Sequence, residues 1–306
     1  MNKKEQKLIQ VRDKAIRERK ETFRKWCEAR HKYDEADRKL REYREQGPAG
    51  RKGGVMRKHV TVAWFSAGVS SAVATKLVIE QVDKIIYQHI DDMEEDTMRF
   101  VRDCEEWFGK PIEIRQSRYK SVENACLAMS FVNSPGGPVC SKLLKRRDRK
   151  EWEAEHRFFN TFRYVWGMDE SKRERGRAER IRNDMREDEH VFPLQERGLT
   201  KADAHGILRE AGIARPRMYD RGFPNNNCKV CVRGGAGYMN LCRVEFPSEF
   251  SARAAMERRI GGSCINGTYL DELDPEAGRD CKIIVPECGA MCEAMSNAQQ
   301  GGKAVT

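Results

Sequence analysis

His59-Val60-Thr61-Val62-Ala63-Trp64-Phe65-Ser66-Ala67-Gly68-Val69-Ser70-Ser71-Ala72-Val73-Ala74-Thr75-Lys76 is the stretch on which the reading of the fold turns. A short apolar run predicts a strand, the small residues Ser66, Ala67 and Gly68 a tight turn, and the positions from about 70 to 81 a helix. An anion reaches backbone N–H groups only where side chains leave room, and a helix N-terminus adds about half a positive charge. Ser66, Gly68, Ser70 and Ser71 are therefore candidate phosphate-binding residues. The turn is not a Walker A loop, because no Gly-Lys-Ser/Thr follows at the required distance. A Ser/Gly-rich bend that binds nothing is the competing reading.

Further strands and helices alternate after it. Lys84–Ile90 predicts a second strand, with Asp91, Asp92, Glu94, Glu95 and Asp96 crowding its end and a helix over 94–108. Pro111–Arg115 predicts a third strand, followed by a helix near 120–129, and Phe162–Gly167 another strand. Strand–helix alternation with short joins predicts an α/β fold with a doubly wound, mostly parallel sheet. Ligands of such sheets collect beyond the strand C-termini, which puts Asp91 near the ligand. The other acids are equally suited to compensating a helix dipole.

The chain has 306 residues and a formal charge of +10. Residues 1–58 hold 20 Lys and Arg against 10 Asp and Glu, so the whole excess lies in that arm. Its Lys, Arg, Glu and Ala content predicts one long helix over 3–46, with a broken heptad seam through Ile9, Ile16 and Phe23. Such a helix packs or dimerises through one stripe, or contacts nucleic acid through its charge. Gly47-Pro48-Ala49-Gly50 ends it. The domains expected are a basic arm and linker (1–58), an α/β domain carrying the candidate phosphate-binding turn (59–222) and a cysteine-rich C-terminal module (223–306). No window approaches the ~20 apolar residues of a membrane span and no secretory signal opens the chain, so no membrane partner and a cytoplasmic location are expected.

Eleven cysteines is a high and odd number, which points to metal or thiol chemistry rather than a full disulfide set. Cys228-Lys229-Val230-Cys231 precedes a glycine-rich run, and Cys288 and Cys292 form a second close pair. Two close pairs joined by a long segment suit a four-thiolate site for zinc or a [4Fe–4S] cluster, with Cys281 as a substitute ligand. Unliganded thiols are the alternative.

Several segments, taken in order, resemble the phosphoadenosine-phosphosulfate (PAPS) reductase-like branch of the PP-loop, adenine nucleotide alpha-hydrolase-like superfamily. They are the 66–71 turn, Cys140-Ser141-Lys142-Leu143-Leu144-Lys145, Glu174-Arg175-Gly176-Arg177-Ala178-Glu179-Arg180, Val191-Phe192-Pro193-Leu194 with a helix N-capped by Thr200 and stopped by Gly212, and the Cys228–Tyr238 run. The resemblance extends to divergent phage-type members and to the sulfurtransferases of DNA phosphorothioation. It implies an adenine nucleotide, ATP or PAPS, as ligand and sulfur-transfer, reductive or adenylyl-transfer chemistry. It further implies that Lys142, Lys145 and Arg146, with Arg177 and Arg180, meet phosphate or sulfate oxygens, although the alternating charges around the two later arginines equally suit surface ion pairs. Cys140, at a helix N-terminus, is expected to have a lowered thiol pKa and to act in catalysis with Lys142; a buried inert cysteine and a solvated basic face are the alternative. Two departures bear on activity: Ser70 stands where ATP-hydrolysing members commonly have Asp, and Ala67 where they have a second Gly. Three functions follow: a nucleotide-dependent enzyme, a nucleic-acid-modifying sulfurtransferase that uses the basic arm, or a catalytically degenerate nucleotide-binding protein. A homodimer through the arm is compatible with each.

Overall fold

Apolar residues at alternate positions of β1 (Lys58–Phe65) face opposite sides, as the strand's two-residue period requires. Ala63 and Phe65 join Ile85, Tyr87, Ile112 and Val165 in one core, while Val60 and Val62 join Ile86, Phe162 and Tyr164 in another. A strand buried on both faces belongs in the centre of a parallel sheet. That is where β1 lies. With β2 (Lys84–His89), β3 (Ile112–Gln116), β4 (Asn160–Val165) and β5 (Glu189–Val191) it forms a five-stranded sheet of order β3-β2-β1-β4-β5, every pairing parallel. Ala63 lies between Ile85 and Val165 in this register.

This computed structural model describes residues 58–133, 137–157, 160–265 and 267–279, together with Glu35. The chain divides into two compact units, Met1–Val55 and Met56–Thr306. Apart from Glu35, the expected helical arm lies outside the described residues, as do Cys281, Cys288 and Cys292.

Helices cover both sheet faces, the doubly wound arrangement expected of alternating strands and helices. On the first face lie α1 (Val69–Leu77) and α2 (Thr97–Phe108), the latter bringing Phe100 and Phe108 against Phe65. On the second face Trp152 of α4 (Arg147–His156) packs on Phe162 and Trp64. α5 (Lys172–Asp184) buries Ala178 beside Met168 and Phe192. After the short α6 (Pro193–Glu196), α7 (Lys201–Glu210) returns to the first core through Ala204, Ile207 and Leu208. The α7 start is as expected: the Thr200 hydroxyl accepts from Asp203 N and the Asp203 carboxylate from Thr200 N, and Gly212 (φ 73°) follows its end.

Some element bounds differ from the sequence expectation. α1 ends at Leu77 and a 3-10 turn, Ile79–Gln81, completes the stretch. α2 begins at Thr97 rather than 94, because the Glu94 carboxylate accepts from Asp96 N and pairs with Arg217, drawing that turn out of the helix. β5 has only three residues, too short for a periodic signal.

A further core joins α3 (Val122–Met129) and a π-helical turn (Ser141–Arg146) to α8 (Arg217–Asp220), α9 (Ala236–Glu245) and α10 (Pro247–Ile260). Ile90, Val122 and Leu143 share it with Phe223, Cys228, Val230 and Met239, on both sides of the expected boundary at 222. Arg253 pairs with Asp92 (2.5 Å), and Asp92 also accepts from Val122 N (2.7 Å). Among the described residues no helix is long and apolar enough to cross a membrane.

Candidate functional site at the β1–α1 turn

All five strand C-termini face one edge of the sheet, and the chain reverses its direction of growth between β1 and β4. The crevice at such a switch point is where open α/β sheets bind ligands. The turn Ser66-Ala67-Gly68 leaves β1 at this crevice and Gly68 opens α1. From the other side, Gly167 just after β4 lies against the first turn of α1, so closely that a Cβ there would stand 2.3 Å from Ser71 Cα. The glycine is required by the approach of the two backbones.

Within the turn Ser66 is exposed, Gly68 and Ser70 are half-buried, and Ser71 is buried. The Ser71 hydroxyl sits in the bend: it accepts from Ser66 N and Gly68 N (3.3 Å each) and from the Ser66 hydroxyl (2.9 Å), and donates to Gly68 O. Val69 N donates to the Tyr219 hydroxyl (3.3 Å). The expectation of bare amides along the whole turn is thus corrected. Three of them already have an oxygen acceptor, whereas Ala67 N and Ser70 N have none among the described residues. Three donors converging on one oxygen make a nest of the kind that also accepts a phosphoryl oxygen. Ala67 holds φ at 54°, the left-handed region that glycine occupies without cost.

Asp91 lies beyond the end of β2, but its carboxylate accepts from Gln116 Nε2 (2.6 Å) and faces His89, so it is engaged on the β3 side. Glu94 and Asp96 are taken up by Arg217 and Arg99, and Glu95 by Lys229. These acids fix loops rather than surround the turn.

The π-helical turn is anchored at the same edge: Leu143 O accepts from the Ser117 hydroxyl after β3, and Lys145 O from Gln88 of β2. Lys142 and Lys145 are exposed upon it. Cys140 precedes it, and its thiol pKa is raised, not lowered as expected. Burial dominates, neighbouring Cys231 adds to it, and Lys145 opposes both. Cys228 responds to the same groups, and burial pushes its thiol up to about 12, with Lys145 again opposing. Cys140, Cys228 and Cys231 therefore form one electrostatic neighbourhood beside Lys145, and no disulfide joins the described cysteines. The Cys228 sulfur contacts Met93 Sδ at 3.7 Å. Val230 between the paired cysteines is fully buried at φ 49°, an unfavourable conformation for a β-branched residue that the surrounding core holds in place.

Arg177 and Arg180 are exposed on α5, and Arg177 bonds to Glu174 one turn back (2.6 Å). Among the described residues no group of three His, Cys, Asp or Glu is arranged to hold a metal ion. Cys228 and Cys231, with Cys140 beside them, supply thiol donors but not by themselves a metal site.

Sequence reasoning missed Tyr219 and Asn226, which reach the turn from 150 and 159 residues away. No spacing pattern signals such contacts; the nearest signal was the Asn225-Asn226-Asn227 run before Cys228.

No family model matches the chain, and no curated protein matches its sequence.

Proposed function

We propose that this chain is a PAPS reductase-like PP-loop protein that binds an adenine nucleotide, ATP or PAPS, at the 66–71 turn and serves sulfur-transfer, reductive or adenylyl-transfer chemistry. The observation that carries this reading is the position of the turn at the β1–β4 switch point, with Gly167 pressed against it. Phosphoryl oxygens would take the amides of Ala67 and Ser70 and the hydroxyls of Ser66 and Ser70. Rotation of the Ser71 hydroxyl would release Ser66 N and Gly68 N to the same oxygens. Lys142, Lys145, Arg177 and Arg180 are the cations proposed to offset charge developing on a leaving group.

The neighbouring thiols support sulfur as the transferred atom. A thiol must lose its proton to attack, and Cys140 and Cys228 are held protonated by burial. Cys140, which is not among the proposed metal ligands, becomes a nucleophile only once its proton is removed, and the Lys145 ammonium is the neighbouring cation that favours its thiolate. Zinc or a [4Fe–4S] cluster on Cys228, Cys231, Cys288 and Cys292 remains part of the proposal, and no step above depends on it. A thiol-rich chain of this kind suits a reducing, cytoplasmic setting.

The test is equilibrium dialysis of the full chain with ATP, PAPS and AMP, followed by product analysis. A Cβ at Gly68 would lie 3.4 Å from the Tyr219 hydroxyl and 3.6 Å from the Ser66 hydroxyl, so the further methyl groups of Gly68→Val have to displace the side chains that line the turn. Binding of ATP or PAPS that Gly68→Val abolishes is the expected result; no binding of either overturns the reading. Binding without turnover would instead support the degenerate protein suggested by Ser70.

A second reading, a nucleic-acid-modifying enzyme, is favoured by the confinement of the +10 excess to residues 1–58. Deletion of 1–58 is then expected to abolish DNA or RNA binding while nucleotide binding persists. A change in oligomeric state alone would make the arm a dimerisation element.

A further inference from the structure

Two side chains remote in sequence hold the backbone of the turn from its inner side. Asn226 is 7% exposed, and its side-chain nitrogen lies 2.7 Å from Ala67 O. A carbonyl oxygen only accepts, so the NH2 end of the Asn226 amide faces it. Thr97 Oγ1 flanks the same amide at 3.3 Å. In a planar trans peptide the C=O and the N–H point in opposite directions. Drawing Ala67 O inward onto Asn226 therefore aims Gly68 N–H outward, into the bend where Ser66 N and the Ser66 hydroxyl also converge.

The next peptide is held in the same way. The buried Tyr219 hydroxyl oxygen accepts from the backbone N–H of Val69, the first residue of α1 (3.3 Å). Among the described residues, Ser71, Tyr219 and Asn226 make the polar contacts of the 66–69 backbone outside helix and sheet, apart from the helix bond of Gly68 O.

We propose that Asn226 and Tyr219 are positioning residues that set the amide orientation of the 66–69 turn for phosphoryl oxygens, so that affinity for the phosphoryl group, and not for the nucleoside, depends on them. The inference rests on the nucleotide reading above and adds to it two residues that touch the turn but not the ligand.

The experiment compares wild type, Asn226→Asp and Tyr219→Phe in the full chain, titrated calorimetrically with ATP, inorganic pyrophosphate and adenosine. Asn226→Asp keeps the size but removes the donor and sets a carboxylate against Ala67 O. Tyr219→Phe removes only the hydroxyl. Affinity for ATP and pyrophosphate is expected to fall about tenfold or more in Asn226→Asp and several-fold in Tyr219→Phe, with adenosine affinity unchanged. Wild-type affinity for pyrophosphate in both variants overturns the inference. So does a parallel loss of adenosine and pyrophosphate affinity, which is the signature of general structural damage. Should one variant fail to fold, the other decides. A wild type that binds none of the three ligands is a failure of the nucleotide reading itself, and so is distinguishable from failure of the positioning role.

Discussion

Ala67 shows how one residue records a compromise between sequence and backbone. Its left-handed φ of 54° costs an L-residue about 1–2 kcal/mol, part of which glycine would lose again through unfolded-chain entropy. Ala67→Gly relieves that strain but also removes a fully buried methyl worth about 0.8 kcal/mol, so the unfolding free energy is expected to change by less than about 1 kcal/mol, read from urea midpoints; a loss of about 2 kcal/mol or more would contradict the strained conformation assigned. Gly167 has the opposite character. Gly167→Ala forces a Cβ into the backbone of Ser71 and is expected to cost about 1–3 kcal/mol and to weaken nucleotide binding together with stability. His205 adds a pH signature. It is buried edge-on to Tyr219, and burial, with Arg215 and Lys201 alongside, pulls its pKa down to about 3. The folded protein keeps the ring neutral while the unfolded chain takes up a proton below about 6.5, so this contribution is full above that pH and is lost as pH falls toward 3. Comparing unfolding midpoints at pH 7 and pH 4.5, His205→Gln is expected to lose less stability than wild type on acidification. An equal loss would remove His205 from the acid limb.

Among elements, the strand–turn–helix unit from Lys58 to Leu77 was legible because hydrophobic period changes from two to that of a helix across three small residues. β5 was not, since Glu189-His190-Val191 is too short to show any period. The occupation of the turn by the Ser71 hydroxyl was also invisible, because it depends on a side-chain rotation that sequence does not encode. The Cys140 expectation failed for a related reason: a motif places a thiol beside a helix start, but only packing reveals how much burial opposes its ionisation. That burial has a measurable consequence in the Cys228–Cys231 turn. Cys228 and Cys126 are pushed up to about 12, so under reducing conditions the unfolded chain ionises first, and stability present below about pH 9 is lost as pH rises toward 12. At pH 8, in chelator-treated, metal-free protein, iodoacetamide is expected to modify the half-buried Cys231 before the buried Cys228, as read by peptide mass spectrometry; the reverse order would contradict the burial described. On α5, Arg177 and Arg180 are exposed, and their joint replacement by Ala is expected to move stability by no more than about 0.5 kcal/mol. A several-fold loss of PAPS or ATP affinity at that unchanged stability would separate a phosphate-facing role from a surface ion pair.

For the molecule from Met56 onward, the cysteine-bearing segment after 222 and the sheet-bearing segment before it share a core, and Tyr219 and Asn226 from this region contact the turn. Sequence alone could divide the chain at 222 because composition changes there, but packing across that point depends on pairs more than a hundred residues apart. The same architecture brings the turn, the π-helical basic segment and the start of α5 to one sheet edge, which is the geometric content of the proposed function. Its most direct test is an amide NMR titration of the full 15N-labelled chain with ATP and with PAPS. Saturable shifts of the Ala67, Gly68 and Ser70 amides by at least one of the two nucleotides are the expected result. Shifts confined to other regions, or none with either nucleotide, would contradict a phosphate-binding turn at the β1–β4 crevice.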